Sequence, residues 1–335
     1  MILVTGGTGL VGSHLLFELT KTNASIRAIH RERSDLKQVE KIFSYYTENF
    51  QEQFNRIEWF VADLSDISAL DTAFENVTHV YHCAALISFD PRDYDKLFKI
   101  NCEGTANVVN TSLAKNVKKL AYISSIATIG QEINSVIVNE DSDWNAKDAN
   151  VYALTKYDAE MEVWRSSQEG LPTIVLNPGV ILGPGFWDSG SGTIFKTAAK
   201  GYSYYPPSGT GFVGVMDVVK LLILGMNSEI NKERFIVIAE NKTYKDVLHD
   251  ICEKLELKPP NKELKKWQLS LLWRLDWLAS FLTKKERKLT KNSVKSLQEQ
   301  KQYDHQKIKT TFNYEFEPID KVLDFCTEQF IKETS

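Results

Sequence analysis

TGGTGLVG, residues 5–12, follows a short apolar run at the start of the chain and leads straight into a helix-forming stretch beginning near Leu10. Its glycines Gly6, Gly9 and Gly12 stand three apart. Glycine at those points permits a tight turn and lets the backbone approach a pyrophosphate. The charge of that group then faces the free N–H groups and positive end of the following helix. A strand–helix turn that needs glycine for packing alone is the plainer alternative. It loses weight because the motif opens the first β–α unit, so dinucleotide binding is expected.

Beyond that stretch, short apolar runs at 2–5, 25–30, 57–62, 79–83, 119–124 and 173–176 alternate with helix-length segments. Continuous apolar strands separated by helices are what a parallel sheet covered on both faces requires. The expected fold is a doubly wound α/β domain of the Rossmann type. From Pro178 the texture changes to loops such as GPGFWDSGSG and YSYYPPSGTG, which suggest a smaller region over the carboxyl edge of the sheet. The expected division is a dinucleotide-binding domain over 1–177, with a return strand and helix near 234–256, and a substrate-binding region over 178–233 and 257–335. The aromatic side chains Phe186, Trp187, Tyr202, Tyr204 and Tyr205 could line an apolar substrate pocket or pack that region.

A chain of 335 residues, 43% hydrophobic, can bury a full core. Its formal net charge of -4, with acids and bases interspersed, gives no electrostatic argument for nucleic acid as a partner. Cys83, Cys102, Cys252 and Cys326 lie far apart, without metal-ligand or redox spacing, and read as reduced structural thiols. MILVTGG already reads as strand and turn, which leaves no room for a leader segment and points to the cytoplasm. No uncharged apolar run of roughly 18 residues predicts a membrane span. Residues 264–282 carry two apolar stripes, one through Trp267, Leu271, Leu275, Leu278 and Leu282, the other through Leu269, Trp273, Trp277 and Phe281, ahead of the basic run KKERKLTK. That pattern fits a membrane surface, but an apolar helix in a globular chain is more often core or a dimer face, and that is the expectation.

At the end of the second strand an acidic residue would receive the adenosine ribose hydroxyls. The sequence IRAIHRERSD has none there, and places His30 and Arg31 instead. A guanidinium suits a 2′-phosphate, so NADP(H) is preferred, with NAD(H) as the alternative if Arg31 and Arg33 merely solvate a loop. Asp63, in VADLSD, could bind the adenine amino group or simply form a turn.

Tyr152 and Lys156, in YALTK, share one helix face, and SSIATIG places a serine where the fifth strand ends, at the ligand-binding edge of such sheets. With TGGTGLVG, Asp63–Leu64, HCAA at 82–85, NCEGT at 101–105 and NPGVILGPG at 177–185, the ordered set spans most of the chain and resembles the extended short-chain dehydrogenase/reductase family. The resemblance implies a Ser–Tyr–Lys site. Tyr152 is then the general acid or base. Lys156 holds the nicotinamide ribose and, as an ammonium, draws the phenol down from its usual value near about 10. Ser125 hydrogen-bonds the substrate oxygen, with Ser124 as the neighbour it could be confused with. Asn101 supports the pocket or a proton path, or braces a helix. Cofactor contacts carry over to Gly6, Thr8, Gly9, Leu10, Val11, Gly12, Arg31, Asp63, Leu64, Ala84, Tyr152, Lys156, Pro178 and Val180. The resemblance also implies a homodimer formed through the helices after Asn101 and around Tyr152.

Departures from the family narrow the chemistry. Many sugar-nucleotide members carry Arg-Pro after the sixth strand and Arg-Asp ahead of a later VxDV-like segment. This chain has Asn177-Pro178, and Thr210-Gly211 before FVGVMDVV. The acidic pair beside the serine of sugar dehydratases is replaced by Ile126 and Ala127. VNEDSDWN, with Glu140 and Trp144, looks like the dihydroflavonol-reductase-like branch that includes hydroxysteroid dehydrogenases, unless both residues serve loop packing. The expectation is an oxidoreductase interconverting a carbonyl and an alcohol on an apolar or aromatic small molecule. The alternatives are a nucleotide-sugar epimerase or dehydratase and a non-catalytic dinucleotide-binding regulator.

Overall fold

Alternate residues of the first strand, β1 (Ile2–Thr5), enter two different cores, as a strand covered on both sides must. Val4 packs with Ala28, Tyr81, Ala121 and Leu176. Leu3 packs with Ile29, Val80, Leu120, Tyr122 and Val175 on the opposite face. The computed structural model describes residues 1–130, 137–283, 287 and 289–334. After β1 come α1 (Leu10–Leu19), β2 (Ile26–His30), β3 (Ile57–Val61), β4 (His79–His82), α2 (Gly104–Ala114) and β5 (Lys119–Ile123). Next are α3 (Val151–Gln168), β6 (Thr173–Pro178), β7 (Val180–Leu182), β8 (Gly209–Gly214), α4 (Val215–Asn227) and β9 (Glu233–Val237). The chain continues with β10 (Glu240–Thr243), α5 (Tyr244–Lys254), α6 (Lys266–Thr283) and α7 (Ile319–Thr334).

Seven parallel strands form the main sheet in the order β9–β6–β5–β4–β1–β2–β3. The order reverses between β1 and β4, so the chain leaves those neighbouring strands in opposite directions and opens a crevice at their carboxyl ends. This is the expected Rossmann-type α/β fold. A smaller sheet pairs β8 with β7 in parallel and with β10 antiparallel. It lies on a third core, where Trp187, Phe195, Phe212, Leu323 and Phe330 meet.

Two expectations for the carboxyl-terminal part change. The return strand β9 joins the main sheet, but α5 does not follow it there. Its Val247, Leu248, Ile251 and Cys252 face the third core because their spacing makes one apolar stripe that matches α7. Helix α6 is not core: Leu269 and Ser280 are buried, whereas Trp267, Leu271, Leu275, Leu278 and Leu282 are exposed. The Phe281 side chain and residues 284–286 and 288 of the basic run lie outside the described residues.

Candidate active site

The glycine loop divides into packing and open positions. Gly6 has φ +70°, and a Cβ on it would come within 2.6 Å of the Ala84 nitrogen. A Cβ on Gly12 would sit 2.1 Å from the Gly6 carbonyl oxygen. These two glycines are required by strand–helix contact. A Cβ on Gly9 meets nothing nearer than 3.5 Å, and Gly9 is exposed at the start of α1, whose first N–H groups have no side-chain cap. The open glycine at an uncapped helix start fits a phosphate from outside the fold. Thr8 is half-buried in the loop, while Leu10 and Val11 begin α1. Ala84 braces the loop's far side by donating its N–H to Thr5 Oγ1 (3.3 Å).

At the ends of β2 and β3 a cavity of about 500 Å³ is lined by Arg31, Arg33, Ala62, Asp63, Asp66 and Ala69. Arg31 and Arg33 make no ion pair among the described residues, and both are exposed. Asp63 does form the turn that is its simpler reading: Oδ1 accepts from the Ser65 N–H (2.9 Å) and hydroxyl (2.7 Å). Those bonds, with smaller help from the Arg31 charge, hold its carboxyl below the usual range. Leu64 packs against Gly104 and accepts Asn107 Nδ2 at its carbonyl (2.8 Å). Pro178 and Val180 flank Gly179 where β6 passes into β7.

Tyr152 stands in the first turn of α3, which starts there because Asn150 caps the Ala153 N–H (2.9 Å). The Ser125 side chain is near enough to act on its phenol, while Phe89 meets its ring edge-on at 5.7 Å. Ser124 is turned inward instead, donating to Glu160 Oε2 (2.5 Å). Ser125 is therefore the serine beside the phenol.

The expected electrostatics between Tyr152 and Lys156 are absent. Burial pushes the Tyr152 phenol up to about 12, and the nearby Ser125 hydroxyl recovers only part of the rise. Lys156 is one turn further along and fully buried, and its Nζ donates to Tyr122 Oη (2.6 Å) and the Ile123 carbonyl (2.8 Å). Burial draws that ammonium down to about 7, against the opposing pull of the Glu160 carboxylate. Sharing a helix face puts the two side chains in one site, but the partner of an ammonium is decided by the strand beneath it.

Beneath Lys156 the Tyr122 ring stacks on His82 at 5.3 Å. Thr105 Oγ1 donates to the Asn101 carbonyl (2.5 Å), which leaves it to accept from His82 Nε2 (2.9 Å). His82 Nδ1 then accepts the Thr5 hydroxyl (2.6 Å). Burial first, and the Lys156 charge second, lower His82 to about 3, so it is a neutral strut. Asn101 is also a brace. Its Oδ1 accepts the Leu86 N–H (2.7 Å), and its Nδ2 donates to the Leu86 carbonyl (3.1 Å) and Thr155 Oγ1 (3.2 Å). It ties the loop that carries Phe89 to α3.

Glu160 is the largest omission of the sequence reading. Fully buried, it accepts Ser124, Thr128 (2.8 Å) and Asn177 Nδ2 (2.9 Å) at Oε2, and Trp164 (3.2 Å) at Oε1, with Arg234 at 3.5 Å. The signal was present, since Tyr152, Lys156 and Glu160 recur every four residues along one face of α3. Glu140 and Trp144 prove to be packing: Glu140 Oε1 accepts the Ile236 N–H (2.8 Å), and Trp144 stacks on Tyr157 at 4.4 Å. Trp187 belongs to the third core, against Phe195 and Phe330, whereas Tyr202 and Tyr204 are exposed. Among the described residues no cluster of His, Cys, Asp and Glu could hold a metal ion, and no helix is long and apolar enough to cross a membrane.

Residues 2–239 match the model of the NAD dependent epimerase/dehydratase family. The chain is 28% identical over 253 residues to sterol demethylase protein B of Methylococcus capsulatus, covering 73% of this chain and 72% of that protein. It is 26% identical over 280 residues to a putative dihydroflavonol 4-reductase of Synechocystis, covering 81% and 77%. Among solved structures, gox2253 superposes with a TM-score of 0.82 at 26% identity over 100% of this chain and 98% of that one. The UDP-glucose 4-epimerase of Thermus thermophilus, solved with NAD, gives 0.74 at 19% identity over 98% of each and shows the fold alone.

Proposed function

The chain belongs to the NAD dependent epimerase/dehydratase family, and within it we propose a reductase that prefers NADP(H) and interconverts an apolar or aromatic ketone or aldehyde with its alcohol. One observation carries the choice of reaction. Asn177, at the position where many sugar-nucleotide members have arginine, is buried, and its Nδ2 braces the serine loop through the Ser125 carbonyl (3.2 Å), Thr128 (2.9 Å) and Glu160 (2.9 Å). A residue committed inward offers no cation to a nucleotide-sugar pyrophosphate.

The residues present fit a dinucleotide. The glycine loop and start of α1 take the pyrophosphate, Arg31 with Arg33 the 2′-phosphate, Asp63 the adenine, and Lys156 the nicotinamide ribose. When bound, the nicotinamide supplies or accepts the hydride at the substrate's carbonyl carbon. Ser125 Oγ donates to the carbonyl oxygen and fixes its position. Tyr152, protonated at working pH because its phenol is held high, gives its proton to that oxygen in reduction and takes it back in oxidation. Phe89 supplies an apolar wall beside the phenol. The relatives named for sterol and dihydroflavonol substrates support an apolar ligand.

Calorimetric titration of cofactor-stripped protein with NADPH and NADH, repeated on Arg31→Ala, tests the cofactor reading. The expected result is NADPH binding at least about tenfold tighter, with the gap closed by the substitution. Equal binding of NADH, or NAD that cannot be stripped, overturns it in favour of transient oxidation by a resident NAD.

A further inference from the structure

Helix α6 is seated on its less apolar side. Leu269, Trp273, Asp276 and Ser280 face the protein, while Trp267, Leu271, Leu275, Leu278 and Leu282 stand in solvent, with exposures from 46% for Leu278 to 72% for Leu282. The helix is about 27 Å long, and along that length it presents a face of four leucines and Trp267, edged by the exposed Arg274. Burial in the chain's own core does not account for this face.

Charge identifies what covers it. Residues 258–296 hold eleven Lys and Arg against three Asp and Glu, whereas the rest of the chain holds twenty-nine against forty-one. A basic, leucine-lined segment therefore sits on a protein that is otherwise strongly acidic. Pairing this face with a second copy would oppose two basic segments. A negatively charged lipid surface complements it, with lysines Lys262, Lys265 and Lys266 at one end of the helix and a tryptophan, Trp267, at headgroup depth. The segment also touches the catalytic side of the molecule. The Leu289 N–H donates to Asp276 (3.1 Å), and the Arg287 N–H donates to Asp90 (3.0 Å), next to Phe89 on Tyr152.

We propose that this face docks on an anionic phospholipid bilayer, with α6 lying in the plane of the interface and its leucines among the acyl chains. The docking stands independently of the reductase reading. If both hold, an apolar substrate dissolved in the bilayer reaches Phe89 and the Tyr152 phenol without crossing water.

Flotation of purified full-length protein with vesicles of phosphatidylcholine alone, or mixed with phosphatidylglycerol, tests it. The expected result is flotation with the mixed vesicles, weakened by added salt and reduced on the order of tenfold or more by Leu271→Glu/Leu278→Glu. Lys265→Glu/Lys266→Glu should weaken it too while leaving the apolar face intact. Circular dichroism and NADPH binding of both variants should match the parent. Three results overturn the proposal: no flotation with mixed vesicles, equal flotation with neutral vesicles at any salt, or a dimer in light scattering that the leucine substitutions convert to monomer.

Discussion

Gly9 and Gly12 separate the two tasks of a glycine loop. A methyl group on Gly12 strikes the Gly6 carbonyl, whereas one on Gly9 has room. Gly12→Ala should lower the melting temperature and dinucleotide affinity together. Gly9→Ala should leave thermal unfolding nearly unchanged while weakening NADPH binding about tenfold or more in calorimetry, because the methyl stands where phosphate must come closest. Tyr152→Phe should retain NADPH binding and lose about 10²–10⁴-fold in kcat, the usual worth of a positioned proton donor. Lys156 gives a pH test with a definite sign. Its ammonium is drawn down to about 7 from an ordinary value of 10.5, so the cofactor-free protein loses this charge as pH rises through about 7, and NADPH affinity should fall over the same interval. Stability runs the other way. Between those two values the unfolded chain binds the extra proton, so unfolding becomes harder as pH rises. Calorimetric melting of Lys156→Met should show less of that rise. That Tyr152 and Lys156 share one helix face was legible in the sequence because helix spacing is local. Ser125 against Ser124 was not, because the choice depends on which hydroxyl Glu160 claims from a helix more than thirty residues away.

Helix α3 carries Tyr152, Lys156 and Glu160 on one face, and the last of these anchors the other two to the sheet. Glu160→Gln keeps the shape but loses the charge that the Ser124, Asn177, Trp164 and Arg234 donors surround. It should cost about 3 kcal/mol in chemical denaturation, because a buried set of donors is left partly unmatched. The central strands of the main sheet could be read ahead of the structure because runs such as ILVT and TIVL are continuously apolar, a pattern that a strand buried on both faces sustains. The seating of α6 could not. Both of its sides are apolar in sequence, and the docked side carries Asp276, whose carboxylate accepts from the Leu289 backbone. The destination of α5 was hidden for a similar reason: its stripe matches α7, more than sixty residues further on.

For the whole molecule, the reversal of strand order between β1 and β4 brings the glycine loop, the Ser125 turn and the start of α3 to one edge of the sheet. Helices α2 and α3 pack side by side on one face of that sheet, and we expect two copies to pair through them. Light scattering at micromolar concentration should give twice the chain mass, and a stable monomer would reject that pairing. The direct test of the central claim is NADPH consumption on a panel of apolar ketones and aldehydes, with the products identified by mass spectrometry, for the parent protein and Tyr152→Phe. The expected result is one alcohol formed for each NADPH oxidised, and near-complete loss of both in the variant. NADPH left untouched across the panel, while a nucleotide sugar is converted with no net change in cofactor, would contradict it.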